Sequence, residues 1–549
     1  MRTISPEPWQ GNCIFRTRVL VSVSSQLDNG AAPISASAAD FSPPSPILPL
    51  PSRSGWDERL KKACSFFVVL TLLVLVVVFT MARGSIQDPD IWWHLHNADY
   101  LFQHHSLPRV DMYSFTVPGH AWVNHEWLAE IPYYLAWRRF GLSGIQAVML
   151  FVLGLIFLGV LYLSYRESGN YKAAVAATCY SVFLASVSFG PRTILFGYAY
   201  MVGLLLIMQR LRQKGSAPLW ILPPLFCLWV NTHGSWLIGL VVFSVLTAAG
   251  FVKGRWGSIE SVRWTPRQIR NLVLAWTASV AALFLNPFGS RLVFYPFDLA
   301  FRQKLNVEHV EEWVSVNFHD TRGKLVLALL IVLLLSALLR VSRWTLAELG
   351  LILFALYSGL TYIRFLFLIG IIVAPILAKM LDFMPPYRAE KDTPVLNACV
   401  IVLMIAGVVH YWPTGTQLQS SLADQYPVQA FDYLEAHPPQ GPMLNFYLWG
   451  GYLNWRDPQL KIFIDSRVDI FEYEGVLKDY LDILALDHPE ALLDKYKIRY
   501  VLFPRAEPLT YVLQHDPKWK LRYNDKLSFL FERTEGSAET ASDGRSTPP

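Results

Sequence analysis

Two carboxylates that flank a proline stand at the start of a polar stretch in the first quarter of the chain. The stretch reads Gln87-Asp88-Pro89-Asp90-Ile91-Trp92-Trp93-His94-Leu95-His96. Proline suits the first position of a helix, so we predict a helix whose N-terminus carries Asp88 and Asp90. There a carboxylate can accept a proton from a substrate or bind a hard divalent cation, Mg²⁺ or Mn²⁺, through its oxygens. These two aspartates are the predicted catalytic residues and candidate metal ligands; an N-terminal cap beside an interfacial anchor is the alternative interpretation.

The residues after this pair predict where the helix lies. Apolar side chains recur at helical spacing, at Ile91, Leu95, Ala98 and Phe102. Tryptophans such as the pair at 92 and 93 favour the interface between lipid and water. We therefore predict a helix that lies along a membrane surface.

Seven further polar residues stand near the ends of apolar runs or in the loops between them. Arginines in such places can hold a phosphate through two parallel hydrogen bonds, or can simply extend toward the interface. His233 lies in a tight turn whose Asn and Gly have the alternative role of only capping helices. Glu312 has the alternative of lying in a solvated acidic turn. We predict that these residues bind substrate: His94, His125, Glu126, Arg192, His233, Glu312 and Arg364.

Composition places much of the chain in a membrane. Hydrophobic residues make up 53% of the 549 residues and charged residues only 16%, whereas soluble domains carry about 25% charge. The first apolar run, residues 63–82, is long enough to cross about 30 Å of hydrocarbon. We predict about eleven spans, at 63–82, 144–165, 173–190, 194–209, 218–231, 235–252, 271–286, 324–339, 345–361, 364–381 and 395–413.

The distribution of basic residues predicts the orientation. Connections on the side that includes Arg59, Lys61 and Arg210 are rich in Lys and Arg. The opposite connections are about twice as long in total and hold only about ten such residues. We therefore predict a cytoplasmic N-terminus and an odd number of spans, so that the polar candidates above all lie outside. The span centres are almost free of charge, which argues against a transporter or proton pump.

The remaining segments complete the predicted domain organisation. Residues 1–58 are rich in Ser, Pro and Ala and are predicted to be a disordered cytoplasmic segment. Residues 59–415 form the membrane domain, with a large first external loop at 83–143. Residues 416–535 alternate helix-like and β-rich runs, which predicts an extracytoplasmic α/β domain. The predicted helices are 428–436, 474–484 and 489–496, and the predicted strands are 442–446, 461–465, 499–503 and 527–531. Residues 536–549 are a polar tail. The net charge of +5 and five scattered cysteines predict neither a nucleic-acid partner nor a disulfide framework.

This pattern resembles the GT-C superfamily of integral membrane glycosyltransferases, in particular a set of bacterial polytopic proteins. The resemblance covers roughly residues 63–533. It rests on five motifs: Asp88-x-Asp90-x-Trp92-Trp93-His94-Leu95, Glu126-Trp127-Leu128, Asn231-x-His233-Gly234, Asn286-Pro287-x-Gly289 and Gly450-Gly451-Tyr452-Leu453.

The resemblance implies an activity, partners and a location. It implies transfer of a sugar from a polyprenyl-phosphate carrier to an acceptor glycan, lipid or protein at the outer face of the bacterial cytoplasmic (inner) membrane. It implies inversion at the anomeric carbon, with Asp88 or Asp90 as base or metal carboxylate. The stretch around Gly450 lacks the aspartate of the acceptor-binding motif of oligosaccharyltransferases. The alternative is a non-catalytic membrane subunit that docks partners through its C-terminal domain.

Overall fold

The computed structural model describes residues 55–86, 88–309, 313–339 and 343–534. The predictions for most of the N-terminal segment, for the C-terminal tail and for Glu312 lie outside the described residues. From Glu58 onward the described residues form a single compact unit. A separate domain over 416–535 therefore stays a prediction.

The first half of the described chain is helical. Its long apolar helices are connected by turns, apart from one long loop after the first of them. The helices are α1 (Gly55–Ala63), α2 (Phe66–Ala82), α3 (Asp90–His104), α4 (Trp127–Phe140), α5 (Leu142–Ser168), α6 (Tyr171–Ala185), α7 (Ile194–Lys214), α8 (Leu222–Val230) and α9 (Trp236–Ala248).

The next segment adds further helices and a short sheet. The hairpin of β1 and β2 is antiparallel, and β3 joins β2 in parallel. The elements are β1 (Gly254–Trp256), β2 (Ile259–Ser261), α10 (Pro266–Ala282), α11 (Ser290–Arg302), α12 (Lys304–His309), α13 (Thr321–Leu338), β3 (Trp344–Thr345), α14 (Leu346–Thr361), α15 (Leu366–Met380) and α16 (Pro394–His410).

The C-terminal segment mixes short helices with a four-stranded sheet in the order β4-β5-β7-β6. Strands β4 and β5 are parallel and the other pairs are antiparallel. The elements are α17 (Gly415–Ala423), α18 (Val428–Ala436), β4 (Met443–Asn445), α19 (Tyr447–Arg456), α20 (Val468–Tyr473), α21 (Val476–Leu484), α22 (Pro489–Lys495), β5 (Tyr500–Pro504), α23 (Pro508–His515), β6 (Trp519–Asn524) and β7 (Ser528–Arg533).

Every predicted span falls on a helix, but the helices differ in length. Within the part of the chain that the structure describes, five helices are long and apolar enough to cross a membrane: Glu58–Ala82, Leu142–Ser168, Ile194–Lys214, Thr321–Leu338 and Ile363–Met380. Helices α16 and α17, bent by 55° at their junction, would make a sixth. Apolar helices such as Leu219–Val230 are shorter than the roughly 20 residues that a straight span needs. The chain is thus mostly helical with several apolar spans, and the count of eleven stays a prediction.

The core of the bundle is built around α15. Every residue from Leu366 to Ala374, the first nine of the helix, is buried. The helix packs against α5 and α6. The ring of Phe367 stacks on Tyr198 of α7, with 4.1 Å between ring centroids. A helix that is apolar on all sides is typical of the centre of a membrane bundle. This central helix begins just after Arg364, so its start fixes one side of the polar end described below.

Helix α3 does not lie on an open surface, contrary to the expectation from its tryptophans. Trp92 and Trp93 are buried, at 2% and 5% exposure. Trp92 packs edge-on against Tyr426 and Tyr452 of the C-terminal segment. The reason is a neighbour distant in sequence, since α19 packs directly on α3. The tryptophans therefore stabilise a protein contact instead of anchoring the helix in lipid.

A buried ionic cluster joins the first loop to the C-terminal segment. The guanidinium of Arg467 donates hydrogen bonds to Asp465 (2.6 Å) and to Asp111 (2.7 Å). It also lies 4.6 Å from the ring centroid of Tyr113 and 4.9 Å from that of Trp122. Buried charges of this kind are stable only when they are paired. The cluster therefore fixes the loop against the residues that precede α20.

Candidate active site at one end of the helix bundle

Most of the predicted site residues meet at one end of the bundle. The hydroxyl of Thr193, just before α7, donates to Glu126, just before α4 (2.8 Å). Glu126 also faces His233, in the turn between α8 and α9. The backbone N–H of Leu128 bonds the carbonyl of Asn231 in that same turn (3.1 Å). Four elements far apart in sequence thus bring their polar ends together.

Asp88 and Asp90 lie side by side at the start of α3. Asp88 is buried and forms an ion pair with Arg192, whose Nε lies 2.5 Å from Oδ2. Its other oxygen accepts the backbone N–H of Asp90 (2.9 Å). The Asp90 carboxylate accepts a hydrogen bond from the indole of Trp93 (3.2 Å), which also contacts Ser466. Burial, and then the nearby charge of Asp88, raise the pKa of Asp90 to about 7.

Glu126 is the centre of a histidine cluster. One oxygen lies 3.2 Å from Nε2 of His233 and 3.5 Å from Nε2 of His125, and the other lies 3.4 Å from Nε2 of His94. Burial alone would raise the pKa of Glu126. The three histidines and the Thr193 hydroxyl outweigh burial and lower that pKa to about 2. Glu126 is therefore a fixed negative charge at neutral pH.

His94 bridges two carboxylates. Its Nδ1 lies 3.1 Å from Glu130, while its Nε2 faces Glu126. Burial alone would lower the pKa of His94, but the hydrogen bond to Glu130 and the two carboxylate charges raise it above its ordinary value. Both ring nitrogens face carboxylate acceptors, an arrangement that favours the doubly protonated ring. Its contact with substrate stays a prediction, since it is 2% exposed.

His233 is held as a neutral ring. Burial lowers its pKa to about 3. The backbone N–H of Ser235 donates to Nδ1 (2.9 Å), which leaves the ring proton on Nε2, facing Glu126. Nδ1 thus accepts a backbone N–H in the turn before α9, and Nε2 faces Glu126. The role of His233 toward substrate stays a prediction.

Beyond the Glu126 cluster, His125 connects to a second polar pair. Its ring stacks on Tyr295 of α11, with 4.4 Å between centroids. The Tyr295 hydroxyl donates to Asp469 of α20 (3.0 Å). Burial raises the pKa of the Asp469 carboxyl above its ordinary value. The site therefore extends from α3 through the first loop to α11 and α20.

Arg364 stands just before α15, at the same end of the bundle. Its guanidinium lies over the ring of Trp313, 4.6 Å from the centroid. Its carbonyl accepts hydrogen bonds from Ser188 (3.3 Å) and Tyr198 (3.4 Å). Its role toward substrate, like that of Arg192, stays a prediction.

The two aspartates match a metal site only in part. They offer the oxygen ligands that Mg²⁺ or Mn²⁺ prefers. However, Asp88 already neutralises Arg192, and Asp90 accepts the Trp93 indole. Among the described residues, no group of three or more His, Cys, Asp or Glu side chains is arranged to hold a metal ion. The carboxylates as placed do not form a complete metal centre.

Sequence reasoning missed Glu130, which supports the whole cluster. It is 1% exposed, and it accepts hydrogen bonds from Asn97 (2.9 Å) and Asn124 (2.9 Å) in addition to His94. The signal available was its spacing, since Glu126 and Glu130 stand four residues apart and thus on one helical face. Thr193 was missed because hydroxyls at helix starts are read first as caps.

Comparison with known proteins identifies the class of fold. No protein-family model and no curated protein matches the sequence. Solved structures do match, over most of the chain, and at this low identity they show a shared fold. The chain therefore has the fold of the archaeal oligosaccharyltransferase structures, in agreement with the resemblance seen in its motifs.

The particular neighbours are as follows. The oligosaccharyltransferase of Archaeoglobus fulgidus, tethered to an acceptor peptide containing the NVT sequon, has a TM-score of 0.51 and 13% identity, over 87% of this chain and 75% of that one. The same organism's AglB, with an inhibitory peptide and dolichol-phosphate, has a TM-score of 0.50 and 11% identity, over 89% and 76%. ArnT of Cupriavidus metallidurans, bound to undecaprenyl phosphate, has a TM-score of 0.47 and 15% identity, over 88% and 98%.

Proposed function

We propose that this protein is a membrane glycosyltransferase that moves a sugar from a polyprenyl-phosphate carrier to an extracytoplasmic acceptor glycan, lipid or protein. The observation that carries the proposal is the Asp88–Asp90 pair, with Asp88 buried beside Arg192 and Asp90 half-buried, at the polar end of a GT-C fold. The archaeal oligosaccharyltransferase neighbours, one tethered to an acceptor peptide and one in complex with an inhibitory peptide and dolichol-phosphate, support this class of chemistry. The proposed location is the bacterial inner membrane, with the site outside.

In the proposed step, Asp90 acts as the general base. The oxygen of an acceptor hydroxyl forms a bond to the anomeric carbon of the sugar, and its proton passes to Asp90. The bond from the anomeric carbon to the carrier phosphate breaks, and the phosphate leaves with the electron pair. A base whose pKa lies close to 7 is efficient near neutral pH, because it is ionised yet still basic.

Cations at the site would stabilise the leaving phosphate. Arg192 and Arg364 are the proposed phosphate partners, since an arginine can bind two phosphate oxygens at once. Arg192 is oriented by Asp88, so in this proposal Asp88 positions the arginine. Mg²⁺ or Mn²⁺ enters the proposal as an optional partner of Asp88 and Asp90 that supplies charge stabilisation. Turnover that persists after EDTA treatment would remove the metal from the proposal.

The test is release of carrier phosphate by the purified full-length protein. A panel of polyprenyl-phosphate sugars is offered, with Asp90→Asn and Asp88→Asn as variants. Asp382→Asn, at an exposed position after α15, is the matched control. We expect the first two variants to lose about 100-fold or more of turnover, the usual contribution of a general base or its partner. The control should turn over at the normal rate.

Two results would count against the proposal. Full turnover by both aspartate variants would remove them from the mechanism. Absence of turnover with every donor, together with a partner that co-purifies in stoichiometric amount, would favour the non-catalytic membrane subunit.

A further inference from the structure

A cavity of about 480 Å³ opens beside the Glu126 cluster. Its walls come from the first loop, from α11 with Phe288 before it, and from α20. The residues that matter for its chemistry are Arg109, Trp122, Tyr295, Asp298, Asp469 and Tyr473. A volume of this size lies within the range of small-molecule sites, roughly 300–1,000 Å³.

The cavity combines aromatic rings with oriented charged groups. Tyr473 is 47% exposed, and its hydroxyl bonds the Asp298 carboxylate. Tyr295 bonds Asp469 in the same way on the inner wall (3.0 Å). Arg109 is held at the rim, since it donates to the carbonyl of Pro287 (3.2 Å) and its guanidinium lies 5.3 Å from the Phe288 ring centroid.

The inner wall of this cavity is shared with the candidate active site. Tyr295 stacks on His125, and His125 faces Glu126. Glu126 in turn accepts the hydroxyl of Thr193, the residue after Arg192. The cavity thus borders the Glu126 cluster on the side of the first loop and α11, while the proposed phosphate partners stand at the starts of α7 and α15.

We propose that this cavity binds the acceptor and that the acceptor is a saccharide, an inference that rests on the proposed glycosyltransferase function. A pyranose ring presents a face of C–H groups and a rim of hydroxyls. Aromatic side chains pack against the first, while aspartate and arginine bind adjacent hydroxyls as acceptor and donor. The cavity supplies both kinds of group, with aromatic rings from Trp122, Tyr295 and Tyr473 and polar groups from Arg109, Asp298 and Asp469.

The other two acceptor classes match the cavity less well. A peptide held in extended form needs a strand edge to pair with. The edge strands of the C-terminal sheet are β4 and β6, and the cavity walls come from other elements. A lipid chain would have to lie against the charged side chains of Arg109, Arg291, Asp298 and Asp469, and covering charged groups with hydrocarbon is costly.

Ligand binding by the detergent-purified full chain tests the inference without requiring a donor. Trisaccharides of glucose, mannose and N-acetylglucosamine serve as probes, followed by saturation-transfer NMR. A serine- and asparagine-containing hexapeptide and a short-chain phosphatidylethanolamine are the competing probes. Tyr473→Ala and Asp298→Asn alter the cavity at partly exposed positions. Tyr511→Ala, at a 68% exposed tyrosine of α23, is the control.

We expect at least one trisaccharide to bind, and both cavity variants to weaken that binding at least tenfold while the control leaves it unchanged. Failure of every trisaccharide to bind, equal binding by the cavity variants, or binding of the peptide or lipid in their place would each overturn the inference. Carrier-phosphate release by the unaltered protein is measured in parallel. If release occurs without saccharide binding, the inference fails while the proposed function stands; if neither donor nor acceptor reacts, the proposed function fails.

Discussion

Asp90 makes the candidate site sensitive to pH at the scale of a single residue. Burial and the Asp88 charge raise its pKa from 3.8 to about 7. The environment of Asp88 differs from that of Asp90, because Asp88 has Arg192 as its counter-charge. Two carboxylates separated by one residue thus have two different environments, an arrangement that commonly separates acid–base roles.

We predict that turnover rises with pH through about 7, because only ionised Asp90 can accept a proton.

The contribution of Asp90 to the free energy of unfolding should change in the opposite direction and fall as the pH rises. The folded protein holds a proton on Asp90 that the unfolded chain releases above about pH 4, so this group's contribution to folding is lost as pH rises from about 4 to 7. Thermal unfolding of Asp90→Asn against the unaltered protein measures the difference. A rate that is flat from about pH 6 to 8 would contradict the assignment.

We predict that Glu130→Ala lowers the free energy of unfolding by about 3–5 kcal/mol, because it leaves the buried His94 and two asparagines without their shared acceptor. Glu435→Ala is the control. Glu435 pairs with Arg456 at an exposed position and should cost about 1 kcal/mol or less. Denaturant titration in detergent compares the two. Equal effects would show that the buried network adds little to stability.

At the scale of elements, the packing of α19 on α3 determines where the aspartate pair lies. A Cβ atom on Gly450 would lie 2.1 Å from the carbonyl oxygen of Ile464. A Cβ atom on Gly451 would lie 3.2 Å from the carbonyl oxygen of Pro89, between the two aspartates. The glycine pair therefore permits α19 to approach the backbone at Ile464 on one side and the start of α3 at Pro89 on the other. This gives the Gly450-Gly451 motif a physical reason that is independent of acceptor binding.

We predict that Gly451→Ala yields a folded protein whose turnover falls at least tenfold, because the added methyl group displaces the start of α3. A misplacement of about 1 Å can cost about 100-fold in rate. Gly407→Ala, in the middle of α16, is the control, since a Cβ atom there meets nothing within 4 Å. Circular dichroism establishes folding, and carrier-phosphate release measures turnover. Unchanged turnover in folded Gly451→Ala would contradict this positional role.

Local pattern predicted the helices better than the strands. The helix predicted at Val428–Ala436 has those bounds, and α22 and β5 lie close to the predicted runs. The predicted strand at 461–465 instead has a single bridge, between Ile462 and Ser114. Strand β6 was missed because its sequence, Trp-Lys-Leu-Arg-Tyr-Asn, has the polar character of an exposed edge. Strand partners lie far apart in sequence, so local pattern alone does not determine them.

At the scale of the whole molecule, the site occupies one end of the bundle and the basic connections the other. The Asn170 side chain, beside Lys172, bonds the carbonyl of Met384 (2.6 Å). Gln268, near Arg267, bonds the carbonyl of Gly215 (2.9 Å). These contacts lie at the opposite ends of the helices that carry Arg192 and Arg364. The orientation in the membrane remains a prediction from the positive-inside asymmetry.

We predict that a cysteine placed at Gln440 reacts with a membrane-impermeant maleimide in intact cells, whereas one at Glu167 reacts only after permeabilisation. The first position lies in the exposed turn before β4 and the second at the end of α5 opposite to the site. The background variant lacks the five natural cysteines. The reverse labelling pattern would place the site in the cytoplasm and contradict the proposed location.

The sequence was more informative about which residues could react than about what surrounds them. Charges in a mostly apolar chain are few, so Asp88, Glu126, Arg192 and His233 could be singled out, and the structure brings them to one end. Their second contacts were not predictable. Glu130 and Tyr295 act through packing between segments that are far apart in the chain, and spacing along one helix carries no record of such contacts.

The buried Arg467 cluster has a consequence for how the protein is made. Its contact with Asp111 joins residues 356 positions apart. A ribosome therefore completes the first loop, which contains Asp111, long before it makes the segment that contains Arg467. Until then Asp111 lacks Arg467, and Trp92 lacks Tyr426 and Tyr452. A chain shortened by its last hundred residues would leave Asp111 without Arg467 and Trp92 without Tyr452, a surface that quality-control proteases can distinguish from that of the finished protein.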